Sequence, residues 1–137
     1  MHIKPLDPQI AALFTEGRNL VHLATVLPDG APHSIPVWAM LEDGRIAFFT
    51  QPTSRKARNV AADPRVALSI VDGKNPYRNA QLRGRVVETV EGADALVVID
   101  RISQRYIGKP FPMRSGTVYW IEPETAHFVE LPFELPD

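Results

Sequence analysis

Apolar residues recur along this chain at two different spacings, and the points where one spacing replaces the other mark out its elements. Ile10, Leu13 and Phe14 share one helical face, Asp7-Pro8 supplies a cap and a first helical residue, and Gly17 ends the segment. Residues 19–27 read as a strand, and Pro28-Asp29-Gly30 turns the chain back into a second strand from about Pro32 to Leu41. Glu42-Asp43-Gly44 forms another turn before a third strand from Arg45 to Thr50. A short helix follows. Asp63-Pro64 stops it, because the residue before a proline is pushed out of the helical region.

Arg65 to Val71 then form a fourth strand, with Val66, Leu68 and Ile70 on one face. After the turn Asp72-Gly73-Lys74-Asn75-Pro76, residues Tyr77 to Val90 read as one long strand, with Gly84 predicted to mark a bulge where a closing sheet bends. From about Gly92 to Tyr106 the period becomes helical, placing Ala95, Leu96, Ile99, Ile102 and Tyr106 on one stripe until Gly108 and Pro110 end it. A loop at Lys109–Met113 precedes two last strands, about Gly116–Ile121 and Ala126–Leu131, with Glu122-Pro123-Glu124 between them. Seven short strands and three helices, without strand–helix alternation, predict a mainly β fold: an antiparallel barrel with the third helix against one side.

Length and composition change this picture only in places. At 137 residues one domain over 1–137 is expected, and the thirteen prolines fit many tight connections. Absence of cysteine removes disulfides, thiolate metal sites and cysteine nucleophiles together. No signal-like apolar run opens the chain and no stretch is long enough to span a bilayer, so a soluble, cytoplasmic protein is expected. Charge is uneven. Arg55, Lys56, Arg58, Arg65, Lys74, Arg78, Arg83 and Arg85 face only Asp63 and Asp72 over the central stretch, while the whole chain carries a net charge of −1. A basic centre in an otherwise acidic chain points to a local anionic ligand rather than a nucleic-acid surface or a membrane.

That centre contains Ser54-Arg55-Lys56 at the predicted start of the short helix. Backbone N–H groups without intrahelical partners, the positive end of the helix dipole, a hydroxyl and two cations together make a phosphate cradle. The same residues also suit an ordinary N-cap followed by a solvated helix face. Trp38 and Phe49 lie on the two strands flanking the cradle, where a flat heterocycle attached to a bound phosphate would rest, or where aromatics simply fill a core. No glycine-rich nucleotide motif, nucleophile elbow or zinc-protease motif occurs, and the four histidines lack ligand spacing, so neither a metal site nor a catalytic side chain is expected.

Phe48-Phe49-Thr50 through Ser54-Arg55-Lys56, Asn59 and Asp63-Pro64-Arg65-Val66, preceded by Pro36-Val37-Trp38, resembles the pyridoxamine 5′-phosphate oxidase-like split β-barrel superfamily. More narrowly, with Asn75-Pro76-Tyr77-Arg78, Arg83-Gly84-Arg85 and Arg105-Tyr106, it is similar to the flavin/deazaflavin-dependent oxidoreductases. The resemblance spans about residues 10–130. It implies a six- or seven-stranded split barrel, a homodimer, and a cofactor in a groove at the subunit interface. Ser54, Arg55 and Lys56 would hold the cofactor phosphate, with Asn59 among the cofactor-binding residues. Ser34, Ile35, Pro36, Val37 and Trp38, with Phe49 and Thr50, would lie along the ring, Tyr77 and Arg78 would approach ring or tail, and loops such as Lys109–Met113 would build the substrate groove over the ring.

Two departures narrow the activity. Pyridoxamine phosphate oxidases carry further basic residues on the second strand and an Arg-x-His-like site near the C-terminus. Here the second strand reads His33-Ser-Ile-Pro-Val-Trp-Ala and the C-terminus Leu131-Pro-Phe-Glu-Leu-Pro-Asp. The resemblance therefore implies a reductase using the deazaflavin coenzyme F420, delivering hydride to a conjugated small-molecule substrate. FMN is the alternative cofactor, and a non-catalytic flavin- or tetrapyrrole-binding module is the alternative function.

Overall fold

The computed structural model describes residues 5–137. Helix α1 (Pro8–Thr15) is capped by Asp7, whose carboxylate accepts from the Gln9 amide, and buries Ile10, Leu13 and Phe14. Strands β1 (Val21–Val26), β2 (Pro32–Val37), β3 (Met40–Glu42) and β4 (Arg45–Thr50) lead into helix α2 (Arg55–Ala62). After it come β5 (Arg65–Asp72), β6 (Asn75–Val90), helix α3 (Gly92–Ile107) and β7 (Thr117–Glu130). Among the described residues no helix is long and apolar enough to cross a membrane.

All pairings are antiparallel, and the seven strands form one sheet in the order β2-β1-β5-β6-β7-β4-β3. The two edge strands, β2 and β3, are joined in the chain by only Trp38 and Ala39. Such a short link brings both edges of the sheet together, so the sheet curls into a barrel that is closed by chain connectivity and left split in its hydrogen bonding.

Two expectations about strands are corrected. The predicted strand from Pro32 to Leu41 is two strands, because the Ala39 backbone leaves the ladder: its N–H donates to Tyr106 Oη (3.3 Å) and its carbonyl accepts from Arg105 Nη1 (3.1 Å). Conversely, the last two predicted strands are the single β7. Glu122-Pro123-Glu124 is a bulge rather than a turn: Gly84 faces Pro123 while Arg83 faces Thr125, leaving Glu124 as the extra residue. Proline is tolerated there because a bulge already interrupts the ladder. The expected irregularity at Gly84 is found, and its cause is close approach. A Cβ at this position would collide with the Glu122 carbonyl oxygen and stand 3.0 Å from Pro123 Cα.

Strand alternation separates two cores. Inward residues such as Leu23, Ile46, Phe48, Leu68, Leu82 and Ile121 fill the barrel with the buried face of α1. Outward residues of β4 and β7, Ala47, Val118 and Trp120, instead receive Ala95, Ile99, Ile102 and Tyr106 of α3, as the helical stripe predicts. Gly108, at φ 72°, ends α3 in the left-handed region and releases the chain into the loop that leads to β7.

Candidate functional site

Helix α2 begins where β4 ends, and its first turn brings a capping hydroxyl and two cations together. Ser54 caps it, accepting from the Ala57 amide (3.2 Å) and from Thr50 Oγ1 (3.0 Å). With both acceptor positions used, the Ser54 hydroxyl is left with its own proton to donate outward. Because the helix starts here, the Arg55 and Lys56 amides have no intrahelical acceptor.

Arg55 is half-buried. Its Nε donates to Asn59 Oδ1 (2.9 Å), which leaves the two terminal guanidinium nitrogens of the fork without a hydrogen bond or ion pair among the described residues. Lys56 is also half-buried, and burial lowers its pKa from the ordinary 10.5. No ion pair among the described residues involves it. A partly desolvated ammonium without a counter-ion, an unfilled guanidinium fork and a hydroxyl with a free proton fit a phosphate group by their chemistry.

Lys56 also lines a groove of about 390 Å³, together with Leu20, Pro36, Val37, Trp38, Phe49 and Phe111. Trp38 forms the wall. It stacks on Tyr106 at 5.3 Å with the rings 3° from parallel and meets Phe111 edge-on at 6.0 Å. Phe49 and Phe111 pack edge-on at 5.0 Å. The wall is fixed from behind. Tyr106 Oη donates to the Asn19 carbonyl (2.7 Å), and Arg105 donates to the carbonyls of Gly17 (3.0 Å), Glu16 (3.2 Å) and Ala39 (3.1 Å). Burial raises the Tyr106 pKa, so its hydroxyl stays a proton-bearing donor.

The remaining expected residues divide. Pro36 and Val37 line the groove with Trp38 and Phe49, and Thr50 supports the cap. Ile35 points inward against the barrel core, and Ser34 points outward into a depression on the opposite sheet face that also contains His22, Arg83 and His127. Strand alternation puts Ser34 and Ile35 on opposite faces, whereas Pro36 and Val37, where β2 ends, both border the groove. Asn59 is 1% exposed and donates to Thr25 Oγ1 (3.0 Å) while accepting from Arg55, so its side chain acts through Arg55.

Tyr77 and Arg78 are not brought to this groove within one chain. Tyr77 packs edge-on against Phe133, and Arg78 is paired with Asp72 (3.1 Å) beside a separate depression containing Arg18 and Lys74.

Sequence reasoning missed Leu20 and the supporting pair Arg105 and Tyr106 as parts of the site, whereas Phe111 belongs to the Lys109–Met113 loop expected beside the groove. Phe111 is placed by Asp100, which accepts from the Phe111 amide (3.1 Å) and takes a bidentate pair from Arg114 (2.8 and 3.0 Å). The Arg114 hydrogen bond accordingly holds the Asp100 pKa below the carboxylate range. Only an aromatic in a proline-flanked loop signalled Phe111 in the sequence.

Fold and groove together define an antiparallel split-barrel protein in which a helix start bearing Arg55 and Lys56 opens onto an aromatic wall. The chain belongs to the pyridoxamine 5′-phosphate oxidase family, whose profile matches residues 6–130, an oxidoreductase family that binds flavins. Over 78 residues it is 38% identical to a pyridoxine/pyridoxamine 5′-phosphate oxidase of Azorhizobium caulinodans, a match covering 56% of this chain and 36% of that protein. The match thus spans about a third of the relative's length. Among solved structures it is similar to an F420 reductase, with TM-score 0.77, 27% identity, and coverage of 88% of this chain and 98% of that one. It is also similar to a conserved hypothetical protein of Mycobacterium tuberculosis, with TM-score 0.79, 27% identity, and coverage of 99% and 94%.

Proposed function

We propose that this chain is an F420-dependent reductase that transfers hydride to a conjugated organic substrate. The observation that carries the reading is the position of Lys56, which belongs to the phosphate cradle and lines the aromatic groove at the same time. A ligand with a phosphate in the cradle would therefore extend directly along Pro36, Val37 and Trp38. Similarity to the F420 reductase over nearly its whole length supports the deazaflavin. So does the absence of lysine or arginine from β2, where a further basic grip on an FMN phosphate would lie.

When bound, the deazaflavin supplies hydride exchange at a ring carbon. The chain's own residues anchor and orient. Ser54, Arg55 and Lys56 hold the phosphate, Trp38 supports one side of the ring, and Phe111 on its pinned loop limits water. Apart from Lys56, which the phosphate would engage, no lysine, arginine, histidine or carboxylate among the described residues lines the groove, so the substrate proton would come from solvent. Self-association into a homodimer would cover the open side of the groove and bring Tyr77 and Arg78 of a second copy towards the ring or tail.

FMN is the second reading, favoured by the matched stretch of the Azorhizobium oxidase. Fluorescence titration of the purified apo-protein with coenzyme F420 and with FMN separates the two. Tight binding of F420 and weak binding of FMN is expected, and the reverse preference replaces the deazaflavin. Arg55→Ala or Lys56→Ala should each weaken binding by about 1–3 kcal/mol. Unchanged affinity in both variants refutes the cradle. Binding without turnover of any enone or tetrapyrrole offered would make the protein a carrier.

A further inference from the structure

The inner face of β1 runs Val21, Leu23, Thr25, all buried, and ends on a polar residue where a valine would fill the same space. Thr25 is 2% exposed and Asn59 is 1% exposed, so neither side chain reaches a ligand. Together they form a chain of hydrogen bonds that ends on the cradle. Arginine can only donate, so Arg55 Nε fixes the Asn59 amide with Oδ1 towards it (2.9 Å) and turns Nδ2 to Thr25 Oγ1 (3.0 Å). The Thr25 hydroxyl keeps a proton of its own. Directly opposite it across the β1–β2 pair, on the same face, stands His33, whose buried Nδ1 has no hydrogen-bond partner among the described residues.

Buried polar groups of this kind are retained at a cost in stability unless every link is made. An arginine also has many rotamers, and a fork fixed before the anion arrives loses less freedom on binding. We infer that Thr25 and Asn59 are positioning residues for the anion cradle, a buried post that locks the Arg55 guanidinium with its two terminal nitrogens facing the phosphate. This rests on the reading of Ser54, Arg55 and Lys56 as that cradle. It adds a residue on the barrel's inner wall, 30 positions from Arg55, to the determinants of cofactor affinity.

A double-mutant cycle tests it, read by titration with coenzyme F420 and repeated with FMN. Thr25→Val keeps the shape and removes the hydroxyl, and it should weaken binding about threefold to tenfold. In an Arg55→Ala background the same change should have no effect, because the post then holds nothing. Thr25→Ser, which restores the hydroxyl, should bind as the parent does. Circular dichroism confirms folding of each variant. Parent-like affinity in Thr25→Val overturns the inference, and so does an equal loss in both backgrounds, which marks a general structural effect. If Arg55→Ala itself binds as tightly as the parent, the cradle fails and the post with it. If Arg55→Ala weakens binding and Thr25→Val does not, the post alone fails.

Discussion

Replacing Lys56 by methionine should move stability and function in opposite directions. Methionine has nearly the stem of lysine, so the apolar packing against the groove is retained while the charge is removed. In the folded apo-protein that charge is partly desolvated and has no carboxylate beside it, which is why its pKa falls below 10.5. A base with a lowered folded pKa penalises the fold while it is protonated. The penalty is complete below the folded value and is relieved as pH rises towards 10.5, where the unfolded chain also loses the proton. Solvent reaches much of the side chain, so the gain from removing the charge is small, about 0.5 kcal/mol or less, and for a chain of this size about 2 °C in Tm. Loss of a charge-assisted bond to phosphate is larger. Taken at the low end for a half-exposed site it is about 1.5 kcal/mol, or about tenfold in Kd. Thermal unfolding of the apo-protein at pH 7 and pH 10, with F420 titration at pH 7, measures both. The expected result is a higher Tm for Lys56→Met that converges on the parent at pH 10, with weaker binding. A lower Tm at pH 7 together with unchanged Kd would refute the reasoning.

Gly84→Ala should destabilise the fold by about 1–3 kcal/mol in urea unfolding, because the new Cβ meets the Glu122 backbone, which cannot rotate away. Tyr106→Phe should lower stability by about 1–3 kcal/mol by leaving the Asn19 carbonyl and the Ala39 amide without their partner, and it should also weaken ring binding, since Tyr106 backs Trp38. Asp100→Ala should free the loop bearing Phe111; a raised KM with kcat nearly unchanged is the expected outcome in steady-state assays once a substrate is found. Asp63, held near a pKa of about 2 chiefly by the Arg65 side chain, favours the fold at neutral pH and loses that contribution as pH falls from 3.8 towards 2; Arg65→Ala should raise its titration, followed by NMR, towards the ordinary range, the backbone amide at 65 retaining part of the shift.

The elements and hairpins were legible because they are local. Pro28-Asp29-Gly30, Glu42-Asp43-Gly44 and Asp63-Pro64 each act within a few residues, and the α3 stripe is continuous. Gly84 was legible as an irregularity for the same reason. What could not be read depends on distant partners. The break at Trp38 and Ala39 is made by Arg105 and Tyr106, more than 60 residues away, which take the Ala39 backbone out of the ladder. Proline in Glu122-Pro123-Glu124 has the composition of a turn, and only pairing with Gly84 makes it a bulge within β7. The Ser54 cap with Arg55 and Lys56 behind it was legible because an N-cap and two cations are adjacent in sequence. The link from Arg55 through Asn59 to Thr25 was not, since it rests on one long-range contact, between Asn59 and Thr25.

The break in the barrel and the groove share one cause. If Ala39 stayed in the ladder, β2 would run on into β3 as one strand, and strand alternation rather than the helix would set the direction of Trp38. Arg105 and Tyr106 reach that point because α3 packs on the outward side of β4 and β7, so the helix that covers the second core also holds the seam open. The opening lies beside the end of β4, where Thr50 leads into the Ser54 cap. One helix therefore brings an aromatic wall to the place where another helix begins. A variant that loosens α3 at Arg105 should for this reason weaken ring binding before it weakens phosphate binding, because the Ser54 cap and the Arg55 side chain are held by α2, β1 and Thr50 at the end of β4, to none of which Arg105 is hydrogen-bonded.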